Sequence, residues 1–301
     1  MAPPLSTVTV KDPADFRSAC DAARRSGQAV GFVPTMGALH AGHLALVEEA
    51  RKRTAFVVVS IFVNPTQFGP NEDFVAYPRD FLADVQKLAT VPGGGADLVF
   101  APEPSAMYPD GERTRVKVHG LTDPLCGAFR PGHFEGVTTI VAKLFALAGP
   151  CIAIFGKKDY QQLAVLRKMA RDLFLPVDIV GHPIVREASG LALSSRNAYL
   201  SPPDRARSLG LSRGLRAAWT AFDRGERDAD TLRTLARREV EAAADRIDYV
   251  EVVDPVELTP ARRIAEKGKA LVAIACHIGK TRLIDNVVLG EDPIPGEGAA
   301  S

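Results

Sequence analysis

Two histidines three residues apart, His40 and His43, lie in the stretch PTMGALHAGH, Pro34 to His43, with Gly37 and Gly42 beside them. An apolar run, QAVGFV, precedes the stretch and a helical pattern, LALVEEARKR, follows it. A helix that begins near Gly42 would leave its first backbone N–H groups unpaired and present the positive end of its dipole. That end suits a phosphate, and the two glycines allow a ligand to approach the backbone closely. Two imidazoles there could bond phosphate oxygens or donate a proton. The bland alternative is a surface turn with incidental histidines. Zinc fits poorly, because the pair lacks the HExxH spacing and no third ligand lies nearby.

Three further stretches carry polar groups of similar use. FGKKDYQQL (155–163) follows an apolar run and places Lys157, Lys158 and Asp159 ahead of Gln161 and Gln162. Lysines at such a point act as mobile positive charges for phosphates. LALSSRN (191–197) offers Ser194, Ser195 and Arg196, and hydroxyls beside a guanidinium can wrap a phosphate. SIFVNPTQF (60–68) ends an apolar run with Asn64 and Gln67, which suit recognition of a small molecule. Taken singly, each could be an ordinary turn or cap.

Other nucleotide and hydrolase signatures are missing. No GxGxxG follows a strand, and no serine sits on a GxSxG elbow. CHIGKT (276–281) resembles the end of a P-loop, but Ile274 stands where the first glycine belongs. Gly279 to Thr281 reads instead as a hairpin turn.

These residues need a scaffold. Apolar runs alternate with helical patterns over the first 180 or so residues. Strands are expected at QAVGFVPT, 55–63, ADLVFAP, CIAIFG and VDIVGHPIV, and helices at 43–53, 81–90, 137–148 and 159–174. AFVVVSIFV is rich in valine and continuous, as in a parallel strand buried on both faces. The alternation predicts a doubly wound, Rossmann-like parallel α/β sheet, in which ligands bind at the carboxyl ends of the strands. Beyond about residue 184 the pattern changes to two helices and three strands, IDYVEVVD, KALVAIACHI and TRLIDNVVL. This predicts a domain of residues 1–183 and a smaller α+β domain of residues 184–301. Gly93 to Gly95 reads as a loop, and GEDPIPGEGAAS as a frayed tail.

The totals narrow the function. The chain has 301 residues, 46% of them hydrophobic and 24% charged, with a formal net charge of +1. That balance gives no excess for binding nucleic acid or a membrane surface. No apolar run reaches the roughly 18 residues of a membrane span, and the amino terminus lacks the pattern of a secretory leader. Cys20, Cys126, Cys151 and Cys276 are widely spaced and read as reduced thiols in a cytoplasmic protein.

PTMGALHAGH, SIFVNPTQFG, NEDFVAYPRD, RPGHFEGV, FGKKDYQQL, VREASGLALSSRNAYLS and GKTRLIDN, in that order, resemble the pantothenate synthetase (pantoate–β-alanine ligase) family. HxGH alone marks only the wider nucleotidylyltransferase superfamily. The resemblance implies ATP-dependent condensation of pantoate with β-alanine through pantoyl adenylate, releasing AMP and pyrophosphate, in the synthesis of a coenzyme A precursor. It implies an ATP site of Pro34, Thr35, Met36, Gly37, Ala38, Leu39, His40, Ala41, Gly42 and His43. Gly156, Lys157, Lys158, Asp159, Val185, Leu193, Ser194, Ser195 and Arg196 would complete that site. His43 would be the catalytic histidine, with His40, Lys158, Ser194, Ser195 and Arg196 stabilising charge. Gln67 and Gln162 would hold pantoate, with Gln67 also facing β-alanine and Asn64 beside it. Mg²⁺ is implied on the phosphates, with Asp84 the candidate protein ligand. A cytoplasmic homodimer with the C-terminal domain as a lid is also implied. Lys157 departs from the family, which commonly has glutamate there. Two other readings share the HxGH stretch: a nucleotidylyltransferase that stops at a stable nucleotidyl product, and a nucleotide-binding regulator without turnover.

Overall fold

The structure of the protein, a computed structural model, describes residues 7–70 and 72–296. Residues 297–301 of the expected tail, and residues 1–6 of the stretch read for a leader, lie outside the described residues. The chain divides into two compact units. The first takes in the described residues up to His119, then Arg130–Lys157 and Val165–His182. The second takes in Gly120–Phe129, Lys158–Ala164 and the described residues from Pro183 onward.

The first unit is built on six parallel strands: β1 (Val8–Val10), β2 (Val30–Thr35), β3 (Phe56–Ile61), β4 (Leu98–Phe100), β5 (Cys151–Gly156) and β6 (Val177–His182). Their order is β1-β4-β3-β2-β5-β6. The order reverses direction between β2 and β5, and a crevice forms at such a switch point outside the carboxyl ends of the strands. The helices are α1 (Pro13–Arg25), α2 (Ala41–Arg53), α3 (Phe81–Leu88), α4 (Pro104–Met107), α5 (Cys126–Phe129), α6 (His133–Ala148) and α7 (Tyr160–Asp172). α5 and the first turn of α7 fall within the second unit.

The central strands β2–β5 are mostly apolar because both faces are covered, whereas the edge strands β1 and β6 are partly exposed. Val33, Val57, Val59, Val99 and Ile154 pack with Leu46, Val47 and Ala50 of α2 and Leu88 of α3. On the opposite face, Phe16 of α1 stacks on Phe100 of β4 at 4.3 Å between ring centres and touches Phe32 of β2. Neighbouring residues of a strand point to opposite faces, so Phe32 and Val33 serve different layers.

Several boundaries differ from expectation. α6 begins at His133 rather than at 137, after Gly132 at φ +80°. Its first turn, His-Phe-Glu-Gly, carries little helical apolar pattern, yet Phe134 and Gly136 are buried. α1 follows an Asp12 cap whose carboxylate accepts the N–H groups of Ala14 and Asp15, with Pro13 in the first turn. β6 stops at His182, just before Pro183.

The second unit pairs β7 (Arg246–Val253), β8 (Ala270–Ile278) and β9 (Thr281–Leu289) as an antiparallel sheet in that order. α8 (Pro202–Asp223) and α9 (Ala229–Glu241) pack on it, burying Leu211, Leu215, Leu232, Val240, Val272 and Ile274 in one core. Gly279, at φ +57°, and Lys280 form the β8–β9 hairpin turn. The expected fraying from Gly290 does not begin there: the Asp292 carbonyl accepts the Trp219 indole N–H at 3.0 Å, and its carboxylate accepts the Val288 N–H at 2.8 Å. All four cysteines are buried and free.

Candidate functional site

β2 delivers the chain to the switch point at Thr35. Its hydroxyl donates to the Ser60 carbonyl of β3 at 2.7 Å and accepts the Gly37 N–H at 3.1 Å. The chain then passes through two left-handed residues, Gly37 (φ +80°) and Ala38 (φ +50°). α2 starts at Ala41, two residues before the expected 43, with His40 as its cap. His40 Nδ1 accepts the Gly42 N–H at 3.1 Å, and His43 Nδ1 accepts the His40 N–H at 3.4 Å. The two rings lie 4.1 Å apart between centres. This reciprocal cap is usually made by Ser or Thr with Glu or Gln. A nitrogen that accepts an N–H must keep its lone pair, so each neutral ring carries its proton on Nε2. The helix head thus presents imidazoles whose donor nitrogen is fixed by their own backbone.

β3 ends in a second set. Asn64 caps a short 3-10 turn, Pro65–Gln67, and is 1% exposed. Its amide donates to Gln67 Oε1 at 3.0 Å and to the Gly136 carbonyl at 3.1 Å. Its Oδ1 accepts the Tyr108 hydroxyl at 2.7 Å and the Thr66 hydroxyl at 3.0 Å. Gln67 Nε2 in turn reaches Met36 Sδ at 2.9 Å. Asn64, Gln67 and Met36, drawn from two sequence stretches, therefore form one chain of contacts. A Cβ at Gly136 would lie 2.3 Å from the Thr66 carbonyl oxygen, so α6 can approach this turn only with glycine there.

Sequence reasoning missed the shell around Gln67. His133 Nδ1 donates to the Gln67 carbonyl at 2.8 Å, which leaves Nε2 as acceptor for Arg130 Nη1 at 2.9 Å. Arg130 grips Glu72 with two bonds of 2.6 Å. Burial pushes the Glu72 carboxyl up, but the Arg130 guanidinium outweighs it and holds the group below its ordinary range. Burial pushes the Tyr108 hydroxyl up, against its bonds to Thr66 and Asn64. RPGHFEGV was visible as a motif, but the signal was one of family pattern, not of chemistry.

The strand beside β2 at the switch point, β5, ends at Gly156, and Lys157 opens the short 3-10 turn that follows. The following residues belong to the second unit. Lys158 is mostly buried, with its ammonium 3.9 Å from Asp159, and its carbonyl accepts the Asn286 amide at 2.8 Å. Gln162 is half-buried in the first turn of α7. Its neighbour Gln161 is fully engaged: Oε1 accepts the Cys126 N–H at 2.9 Å, and Nε2 donates to the Leu121 and Pro124 carbonyls at 3.0 and 2.7 Å.

In the second unit, Leu193 N–H bonds the Val185 carbonyl at 3.0 Å, which brings these two expected residues together. Ser194 caps the 3-10 turn Ser195–Tyr199, its hydroxyl accepting the Arg196 N–H at 3.3 Å. Arg186, two-pronged on buried Asp285 at 2.7 and 2.9 Å, anchors the loop that carries them. Asn197 bonds Glu187 and the Ala192 carbonyl.

Among the described residues, no group of three or more His, Cys, Asp or Glu is arranged to hold a metal ion. Asp84 is 2% exposed and its Oδ1 accepts the Leu39 N–H at 2.7 Å, so the carboxylate is committed to the backbone.

The doubly wound sheet, with the HxGH helix head at its switch point and Lys157 just past the end of the adjacent strand, defines a Rossmann-like protein. The family model described as pantoate-beta-alanine ligase matches residues 8–288, and the chain belongs to that family. It is 51% identical over 293 residues to a pantothenate synthetase of Myxococcus xanthus, covering 97% of this chain and 99% of that one. A pantothenate synthetase structure from Thermus thermophilus matches with a TM-score of 0.86 and 46% identity, covering 93% of this chain and 99% of that one. The pantoate-beta-alanine ligase of Francisella tularensis, solved with beta-gamma ATP and beta-alanine, matches with a TM-score of 0.74 and 32% identity over 96% of this chain and 99% of its own.

Proposed function

We propose that the protein joins pantoate to β-alanine at the expense of ATP, in two displacements. Membership of the ligase family over residues 8–288 is the observation that carries this reading. In the first step a pantoate carboxylate oxygen attacks the α-phosphorus, and the bond to the bridging oxygen breaks to release pyrophosphate. The carboxylate is already ionised near neutral pH, so alignment matters more than a base. Charge grows on the α-phosphate and the leaving pyrophosphate. The head of α2, with the Nε2 donors of His40 and His43, is suited to stabilise it. Lys158, Ser194, Ser195 and Arg196 are assigned to the same task, and Gln67, Asn64 and Gln162 to pantoate. In the second step the β-alanine amine attacks the acyl carbon, the bond to phosphate oxygen breaks, AMP leaves and the nitrogen loses a proton.

Mg²⁺ belongs in this reading as part of the MgATP substrate. The described residues offer no group of three or more His, Cys, Asp or Glu for a resident ion. We assign residues 1–183 to nucleotide and pantoate binding and residues 184–301 to a lid that shields the adenylate from water. We assign the protein to the cytoplasm as a homodimer. No helix among the described residues is long and apolar enough to cross a membrane. Incubation with ATP, pantoate and β-alanine should yield AMP, pyrophosphate and the amide in equal amounts. Formation of ADP and phosphate instead would reject the adenylate route.

A further inference from the structure

Asp84 and Lys87 stand one turn apart on α3, some forty residues beyond the histidine turn. Both reach a single residue of it. Asp84 Oδ1 accepts the Leu39 N–H at 2.7 Å, and Lys87 Nζ donates to the Leu39 carbonyl at 2.8 Å. The ammonium and carboxylate are themselves 3.8 Å apart. The two peptide groups of one buried residue are thus held by opposite charges from another helix.

The turn needs such a hold. Ala38 at φ +50° lies in the left-handed region without being glycine, a conformation that costs about 1–2 kcal/mol and persists only where the surroundings impose it. A Cβ at Gly37 would lie 3.0 Å from Asp84 Oδ2, so the carboxylate packs directly beneath the turn. Leu39 is followed at once by His40, whose ring nitrogen caps α2. A shift at Leu39 therefore moves the cap and the first turn that bears His43.

We propose that Asp84 and Lys87 form a two-point backbone clamp that sets the position of His40 and His43, and are positioning residues for the reaction. The carboxylate is not available as a cation ligand in this arrangement. It is bonded to an N–H, and the neighbouring ammonium would repel a second cation.

Amide hydrogen exchange at Leu39 and His40, alongside steady-state kinetics, tests the clamp in three variants. Asp84→Ala should speed exchange at Leu39 about tenfold or more, as loss of a hydrogen bond to a charged group implies. It should also lower kcat by about 10²-fold, the scale of a 1 Å misplacement, with little change in KM for β-alanine. Asp84→Asn keeps an acceptor oxygen and should restore most of both, with an unchanged Mg²⁺ dependence. Lys87→Met keeps the aliphatic stem and should show a smaller loss. Unchanged Leu39 exchange in Asp84→Ala would overturn the clamp. So would an Asp84→Asn variant as inactive as alanine with a raised Mg²⁺ requirement, which would mark a metal ligand. Should Asp84→Ala fail to fold, the Asn and Met variants decide by the same two readouts. The kinetic arm rests on the adenylate reading. If the unaltered protein forms no adenylate, that reading fails, and the exchange arm still decides the clamp.

Discussion

Under the proposed function His40 and His43 stabilise the charge that grows on the α-phosphate, and their bonds to backbone N–H groups fix which ring nitrogen faces it. The neutral His43 ring carries its proton on Nε2 because its Nδ1 accepts the His40 N–H. His43→Ala is expected to lower turnover by about 10²–10⁴-fold, the range for one charge-stabilising or proton-donating group. Near-normal turnover by the purified variant would remove His43 from the mechanism. Gln67 is tied to Asn64 and Met36, and its carbonyl to His133. Gln67→Ala should raise KM for pantoate more than KM for ATP; equal loss for both would contradict its assignment. Glu72 answers to pH. Its folded carboxyl titrates below the ordinary 4.5, so the charged form favours the fold above that pH. The contribution fades as pH falls through the lower folded value. Glu72→Gln should therefore cost about 1–2 kcal/mol of unfolding free energy at pH 7. The gap between variant and parent should close in acid, as denaturant titrations at several pH values would record.

At the scale of elements, legibility follows burial. β3 was plain in the sequence because a valine run buried on both faces has no other use, and α2 because it starts from glycines and histidines. α6 was read four residues short, since its first turn makes its contacts through Gly136 and the His133 ring rather than through apolar periodicity. α1 is absent from the expected elements although it carries an Asp12–Pro13 start and a buried face of Phe16, Cys20 and Ala23 at helical spacing. Gln161 shows the limit most clearly. In the sequence it is half of a Gln-Gln pair; in the fold its amide fastens three backbone groups of 121–126 to the start of α7. Gln161→Leu would leave two carbonyls and an N–H without that partner, at about 1–3 kcal/mol each if buried and unsatisfied. The variant should melt well below the parent, whereas Gln162→Leu should melt near it and lose pantoate affinity.

At the scale of the molecule, both architectures were legible: a doubly wound parallel sheet, then an antiparallel sheet under two helices. What the sequence concealed was the division of contacts, since Gly120–Phe129 and Lys158–Ala164 cluster with the later residues rather than with their neighbours. Periodicity reports which face of an element is apolar, not which body that face joins. The four thiols are buried and form no disulfide. Burial pushes Cys20 up to about 11 and Cys151 and Cys276 up to about 12, far from the thiolate form at neutral pH. Under the proposed function a carboxylate is activated on the α-phosphate of ATP at the switch point. Isotope exchange between labelled pyrophosphate and ATP, without β-alanine, tests it most directly. Exchange should appear only when pantoate is added, and should fall with His43→Ala. Exchange without pantoate, or none with it while the protein still makes the amide, would contradict a reversible pantoyl adenylate.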